Sequence, residues 1–103
     1  MTPEGKVKSK VQILLASEQF RPFIWQYPVV ETGFGSRAVD RLACVKGQFL
    51  AIECKADARK KLTPRQEVTK DRIEAAGGRF IEVYDEESLR ELDLWLSVIA
   101  GGK

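Results

Sequence analysis

The chain has 103 residues, 44% of them hydrophobic and 31% charged, and its net charge is only +2. This length suits one domain with a single core, and we expect one domain over residues 1–103. No apolar run is long enough to span a membrane and the N-terminus lacks a signal-peptide pattern, so we expect no membrane association and a cytoplasmic protein. The absence of histidine excludes Ser-His-Asp and Cys-His catalysis and any His-ligated zinc site.

The charges are unevenly distributed along the chain. Residues 1–72 hold 14 lysines and arginines against 8 acidic residues, whereas residues 73–103 hold 3 against 7. A basic body suits a phosphate-rich partner, although a solvated charged surface would have the same composition. The two cysteines, Cys44 and Cys54, fall in predicted strands without disulfide or zinc spacing, and we expect both to be buried free thiols.

The N-terminal third predicts a helix followed by a strand. Thr2 is a favourable N-cap, Pro3 suits the first turn, and Glu4 interacts well with the helix dipole. Apolar residues then recur on one helical face, at Val7, Val11, Leu14 and Leu15. Residues 22–30 are aromatic and β-branched, which predicts a strand with Pro28 near its end or at a sheet edge.

The segment "VDRLACVKGQFLAIECK", residues 39–55, predicts a β-hairpin. If Lys46-Gly47 is the two-residue turn, Asp40 lies directly opposite Glu53, where like charges destabilise the sheet. A bound divalent cation would turn that repulsion into attraction. A three-residue loop would break the facing arrangement, and Glu53 and Lys55 on a solvated face would simply pair with neighbours, so the hairpin alone leaves both interpretations open.

The remainder predicts a basic loop, a helix, a strand and a final helix. Thr63 and Pro64 begin the first of these helices and Gly77 follows its end, while residues 79–84 form the strand. The last helix, about 86–99, has one apolar side, made of Leu89, Leu92, Leu96 and Ile99. The element order αβββαβα predicts an α/β fold with a mixed β-sheet flanked by helices.

At this point the ordered motifs resemble a known family. Asp40 followed by "ECK" (53–55), the Gly-rich loop before "VDRL", and "LTPRQ" and "AAGGRFIEV" further on are similar to the VRR-NUC family of the PD-(D/E)XK nuclease superfamily. Standalone members of this family are common in phages. The resemblance runs from about Thr2 to Tyr84 and implies a restriction-endonuclease-like core. Val39 stands in place of the proline of the superfamily motif, and Ala38 where a glycine is often found.

The resemblance implies a metal-dependent site. Asp40 and Glu53 would hold Mg²⁺ or Mn²⁺ with the backbone carbonyl of Cys54, Lys55 would orient or activate the attacking water, and Gln66 would steady the site. The implied activity is that of a divalent-metal-dependent endonuclease that hydrolyses DNA phosphodiester bonds, with junctions or flaps as the candidate structure-specific substrates. The alternative is a catalytically inactive nucleic-acid-binding module, or a subunit of a phage or repair complex.

Several assignments have rivals. Glu4 is an additional candidate metal ligand or merely a first-turn carboxylate, and Gln66 also completes a capping box with Thr63. The final helix is an appendage or a dimer element, and the family resemblance leads us to expect a homodimer. Six cations flank the site in sequence and could bind DNA phosphates or belong to a solvated loop: Arg37, Arg41, Arg59, Lys60, Lys61 and Arg65.

Overall fold

The computed structural model of the chain describes residues 2–29 and 39–100, and within them the elements follow the predicted order. The helices are α1 (Pro3–Leu15), α2 (Pro64–Ala75) and α3 (Glu86–Ile99), and the strands are β1 (Ile24–Pro28), β2 (Arg41–Val45), β3 (Gln48–Cys54) and β4 (Arg79–Val83). The α/β fold class is confirmed.

Each helix begins at a capping side chain. The Thr2 hydroxyl accepts a hydrogen bond from the Gly5 N–H at 3.0 Å at the start of α1. Asp85 caps α3 in a box closed by Ser88. At the other end of α2, Gly77 adopts a φ of +92° in the predicted C-terminal position, a conformation that glycine adopts without strain.

The four strands form one mixed sheet in the order β1-β2-β3-β4. The first three strands are antiparallel, and β4 runs parallel to β3, which requires the α2 crossover. Lys46 and Gly47 have φ values of +49° and +86°, as a two-residue type I′ hairpin requires. Val45 therefore faces Gln48 and the register runs to the Arg41–Ile52 pair, as the sequence predicted.

Helices cover the two faces of the sheet unequally. The main core lies on the face that packs against α1 and α3 (the α1/α3 face), where Leu50, Ile52, Leu92 and Leu96 are fully buried. A smaller cluster lies on the opposite face (the α2 face), around Ala51 and Phe80 with Leu42 and Ile73. The α2 face is thus covered over β3 and β4, and less so over β1 and β2.

Two expectations are corrected by this arrangement. The first strand begins at Ile24 rather than at residue 22, because Arg21–Phe23 forms a turn of 3₁₀-helix that holds Pro22 in its first turn. Cys44 is exposed, because it projects from β2 onto the α2 face where no helix covers it, whereas Cys54 is buried as expected. In the part of the chain that the structure describes, no helix has the length and hydropathy needed to cross a membrane.

Candidate active site

Glu53, near the end of β3, has a buried carboxylate in which one oxygen has two partners and the other has none. Its side chain projects onto the α2 face and the residue is only 6% exposed. Oε2 accepts from Nε2 of Gln66 at 2.8 Å and lies 3.1 Å from Nζ of Lys55. Oε1 is buried and has no hydrogen-bond partner in the described structure. A buried carboxylate oxygen is costly to leave without a partner, so Oε1 is available to a bound cation or water.

The surroundings of Glu53 favour its protonated form. Burial raises the pKa of the Glu53 carboxyl, and the negative charge of Asp40 raises it further. The hydrogen bond and positive charge of Lys55 and the hydrogen bond from Gln66 offset part of this increase. A cation bound at Oε1 would oppose both of the causes that raise the pKa.

Asp40 lies beside Glu53, but the two residues do not form the plain facing pair that the hairpin predicted. The regular ladder ends at Arg41, and the Asp40 N–H donates to the Ile52 carbonyl at 3.0 Å. Oδ2 of Asp40 accepts from the Cys54 N–H at 2.7 Å, so a side-chain oxygen takes the place of a ladder carbonyl. The Asp40 carbonyl accepts from the Val29 N–H at 2.9 Å. These bonds fix the Asp40 carboxylate at the end of the sheet.

Cys54 contributes its backbone to the site and its side chain to the core. Because the N–H and C=O of a residue in an antiparallel ladder face the same neighbouring strand, the Cys54 carbonyl is on the side of Asp40. The thiol is buried in the main core. Burial, followed by the negative charges of Asp40 and Glu53, raises the pKa of the Cys54 thiol to about 12. Cys54 is therefore no thiolate nucleophile or ligand at neutral pH.

Gln66 makes the contacts of a capping box and also contacts Glu53 and Lys55. Its Oε1 accepts from the Thr63 N–H at 3.0 Å, and its N–H donates to the Thr63 hydroxyl at 3.2 Å, which completes the capping box of α2. The same Oε1 accepts from Nζ of Lys55 at 3.1 Å, while Nε2 holds Glu53. Lys55, Glu53 and Gln66 therefore form a closed hydrogen-bonded triangle.

Lys8 is a site neighbour that the sequence analysis missed. Its Nζ lies 3.1 Å from Oε2 of Glu4 and 3.4 Å from Oδ1 of Asp40, so an ammonium bridges the two carboxylates. The i,i+4 spacing from Glu4 predicts the first contact, but the second depends on how α1 docks on the sheet. Glu4 is half-exposed, and the Lys8 ammonium connects its carboxylate to that of Asp40. Over residues 2–29 and 39–100, no three acidic or cysteine side chains converge as a preformed metal site.

The predicted DNA-contacting cations differ in their exposure and in their partners. Arg37 lies outside the described residues. Arg41 is half-buried and donates to Oε1 of Gln26 at 2.8 Å. Arg59 is exposed and paired with Asp57, and Arg65 is exposed in the first turn of α2. Lys60 and Lys61, with Lys70, line a cavity of about 410 Å³ whose walls also include Glu67, Asp71, Glu82 and Tyr84.

The donor set fits a hard divalent cation. Mg²⁺ is commonly held by one or two carboxylates and completes its shell with water and substrate phosphate. The oxygen ligands for such a cation would come from β3, through Oε1 of Glu53 and the Cys54 carbonyl, and from the Asp40 carboxylate just before β2. The chemistry available here is therefore that of a metal-assisted hydrolytic site with a lysine beside it.

Comparison with known proteins identifies the fold. No protein-family profile matches the chain, and no curated protein matches it. A solved structure described as a "VRR_NUC domain" superposes with a TM-score of 0.69 and 23% sequence identity, over 89% of this chain and 95% of that chain. The chain therefore has the fold of a VRR_NUC domain, as its motifs predicted.

Proposed function

We propose that this VRR_NUC-fold chain is a divalent-metal-dependent nuclease that hydrolyses phosphodiester bonds in DNA. The observation that carries the proposal is the buried Glu53 carboxylate, which is held at Oε2 by Gln66 and Lys55 and has no partner at Oε1. A purely structural carboxylate would have both oxygens satisfied. This one is oriented beside Asp40 with one oxygen kept for a ligand.

Each residue of the site has a distinct proposed role. Asp40, Glu53 and the Cys54 carbonyl hold Mg²⁺ or Mn²⁺. When bound, such an ion lowers the pKa of a coordinated water and neutralises charge on the phosphate. Gln66 fixes the rotamer of Glu53 through its amide N–H, a role that outer ligands commonly have around metal sites.

Lys55 is proposed to act on the attacking water or on the phosphate. Its ammonium has three donors, and the contacts to Glu53 and Gln66 use two of them, leaving one for an incoming oxygen. Hydrolysis forms a bond from the water oxygen to phosphorus and breaks the bond to one ester oxygen, which leaves with a proton.

Further features of the proposal concern the substrate and the assembly. Lys60, Lys61 and Arg65 are proposed to contact backbone phosphates beside α2, with Arg59 and Arg41 further out, which favours binding without reading sequence. We propose a homodimer because α3 exposes Leu94 and Val98, one turn apart, at 62% and 76%. Action at DNA junctions or flaps stays a prediction. Location in the cytoplasm, or in the host cytoplasm if a phage encodes the protein, is a second prediction.

The test is cleavage of linear duplex, single-stranded, flap and four-way-junction DNA with Mg²⁺, Mn²⁺ or EDTA. We expect metal-dependent cutting that Glu53→Gln abolishes. Glu82→Gln is the matched control, because Glu82 pairs with Glu53 across β3 and β4 but has no assigned role; it should retain activity within about threefold. No cutting of any substrate by wild-type protein, with DNA binding unchanged by metal, would instead identify an inactive binding module.

A further inference from the structure

The part of the α2 face formed by β1, β2 and the start of β3 exposes a row of aromatic and apolar side chains. Trp25 is 64% exposed and Tyr27 48% exposed, and their rings stack with centroids 6.0 Å apart and planes only 8° apart. In the sheet register Trp25 pairs with Cys44, which pairs with Phe49, itself 43% exposed. We call Trp25, Tyr27, Cys44 and Phe49 the aromatic strip.

Two cations, Lys46 and Arg72, lie near the ends of the aromatic strip. In β1, β2 and β3 as described, the α2 face carries no acidic side chain before Glu53. At one end, Nζ of Lys46 lies 5.2 Å from the centroid of the Phe23 ring. At the other end, Phe49 and Arg72 line a groove of about 470 Å³ against α2. Flat apolar rings between cations complement a ligand that combines flat apolar faces with negative charge.

The aromatic strip is continuous with the candidate active site. Tyr27 lies in the row Tyr27–Leu42–Ala51, and Glu53 is the next residue of β3 on the same face. Tyr27 and Glu53 are separated by two strands across the sheet and by two residues along the strand direction. Their Cα atoms therefore lie about 12 Å apart. Three or four stacked nucleotides span that distance at a rise of about 3.4 Å each.

We propose that the aromatic strip stacks against unpaired bases of the DNA strand whose backbone enters the active site. This inference rests on the proposed nuclease function and narrows its substrate to DNA with a single-stranded segment beside the cut. Aromatic side chains bind unpaired bases by stacking whatever the sequence, and nearby arginines and lysines attract the backbone. Bases within a duplex are already stacked on one another and present no free face to the strip.

The fluorescence of Trp25 tests the proposal directly. The binding experiments use the Glu53→Gln protein in EDTA, titrated with a short oligothymidylate or with a duplex of equal length. We expect the single strand to quench the emission. The quenching should persist in Trp95→Phe and disappear in Trp25→Phe, which keeps a stacking ring and should keep its affinity.

The double variant Trp25→Ala/Tyr27→Ala measures the energetic contribution of the rings. We expect its affinity for the single strand to fall about 5- to 150-fold for each base that loses a stacking partner. Ile13→Ala is the control, since Ile13 is 71% exposed on α1, the helix packed against the other face of the sheet. It should bind the single strand as the parent protein does.

Two outcomes would overturn the proposal. Unchanged single-strand affinity in the double variant would show that the bases do not use the aromatic strip. A parent dimer that becomes monomeric in the double variant, measured by sedimentation, would show that a second copy of the chain covers it. In either case, metal-dependent cutting by the wild-type protein that Glu53→Gln abolishes would still support the nuclease proposal. Absence of all cutting by the wild-type protein would contradict the nuclease proposal itself.

Discussion

One amide side chain joins the start of a helix to the candidate catalytic carboxylate: Nε2 of Gln66 donates to Oε2 of Glu53 at 2.8 Å. The other atom of that amide, Oε1, accepts from the Thr63 N–H and from Lys55. The first turn of α2 therefore cannot shift without moving the amide that orients Glu53. The position of the carboxylate thus depends on the capping geometry of α2.

Gln66→Ala and Thr63→Ala separate these two roles. Each variant removes part of the capping box, so each should lose about 1 kcal/mol in the free energy of unfolding. Only Gln66→Ala also removes the donor to Glu53, and its cleavage rate should fall about 10- to 100-fold, as for other residues that orient metal ligands. Urea denaturation and initial cleavage rates give the two measurements.

The loss of cleavage activity in each variant shows whether Gln66 acts on Glu53 or only on the start of α2. Equal losses of activity in Gln66→Ala and Thr63→Ala would mean that Gln66 acts only by starting α2. Gln66→Glu adds a second check, because it keeps an acceptor for the Thr63 N–H but places a third carboxylate near Asp40 and Glu53.

Local signals in the sequence predicted the order of the elements. Thr63 with Gln66 predicted the capping box of α2, and the count outward from Lys46-Gly47 predicted the register of the hairpin from Val45–Gln48 to Arg41–Ile52. Contacts that depend on how helices dock were not predictable in this way. Lys8 meets Asp40 only because α1 packs beside the end of β2, and Cys44 is exposed only because α2 leaves that strand uncovered.

Removing the negative charge of Glu53 should stabilise the metal-free protein at neutral pH. Burial and the charge of Asp40 raise the pKa of Glu53 above its ordinary value of 4.5, so the folded state binds the proton more tightly than the unfolded state. This contribution is complete below pH 4.5 and is lost as the pH rises through the folded pKa. Glu53→Gln should therefore be the more stable protein at neutral pH in EDTA, with a flatter pH dependence. Urea unfolding of both proteins across the acidic range provides the measurement, and parallel pH profiles would contradict the prediction.

Lys8 should weaken metal binding in the absence of DNA. Its ammonium lies 3.4 Å from Oδ1 of Asp40, and a positive charge there repels a cation bound by the same carboxylate. Because the Lys8 side chain is 36% exposed, solvent reduces the effect. Lys8→Met should bind Mn²⁺ about 3- to 10-fold more tightly by calorimetry. Lys10, on the same helix as Lys8, forms an exposed pair with Glu86 of α3, so Lys10→Met is the matched control and should bind Mn²⁺ as wild type does.

Two leucines of α3 test how that helix packs. Leu96 is fully buried in the main core, and Leu96→Ala should cost about 2–5 kcal/mol in the free energy of unfolding. Leu94, two residues earlier, is 62% exposed, so in dilute, monomeric protein Leu94→Ala should change the free energy of unfolding by less than about 0.5 kcal/mol. A large loss in Leu94→Ala that grows with protein concentration would show that a second copy buries this side of α3.

The two-residue hairpin turn at Lys46-Gly47 limits which changes in chain length the protein can accept. Adding one residue to β2 or β3 beyond the turn would shift their pairing and send alternate side chains to the opposite face of the sheet. Asp40 would then lose the Cys54 N–H that holds its carboxylate, although the insertion itself would lie well away from the site. We therefore expect descendants of this chain to keep the length of the turn, because that length sets the spacing between the two carboxylates, and to keep at Gly47 a residue that tolerates positive φ.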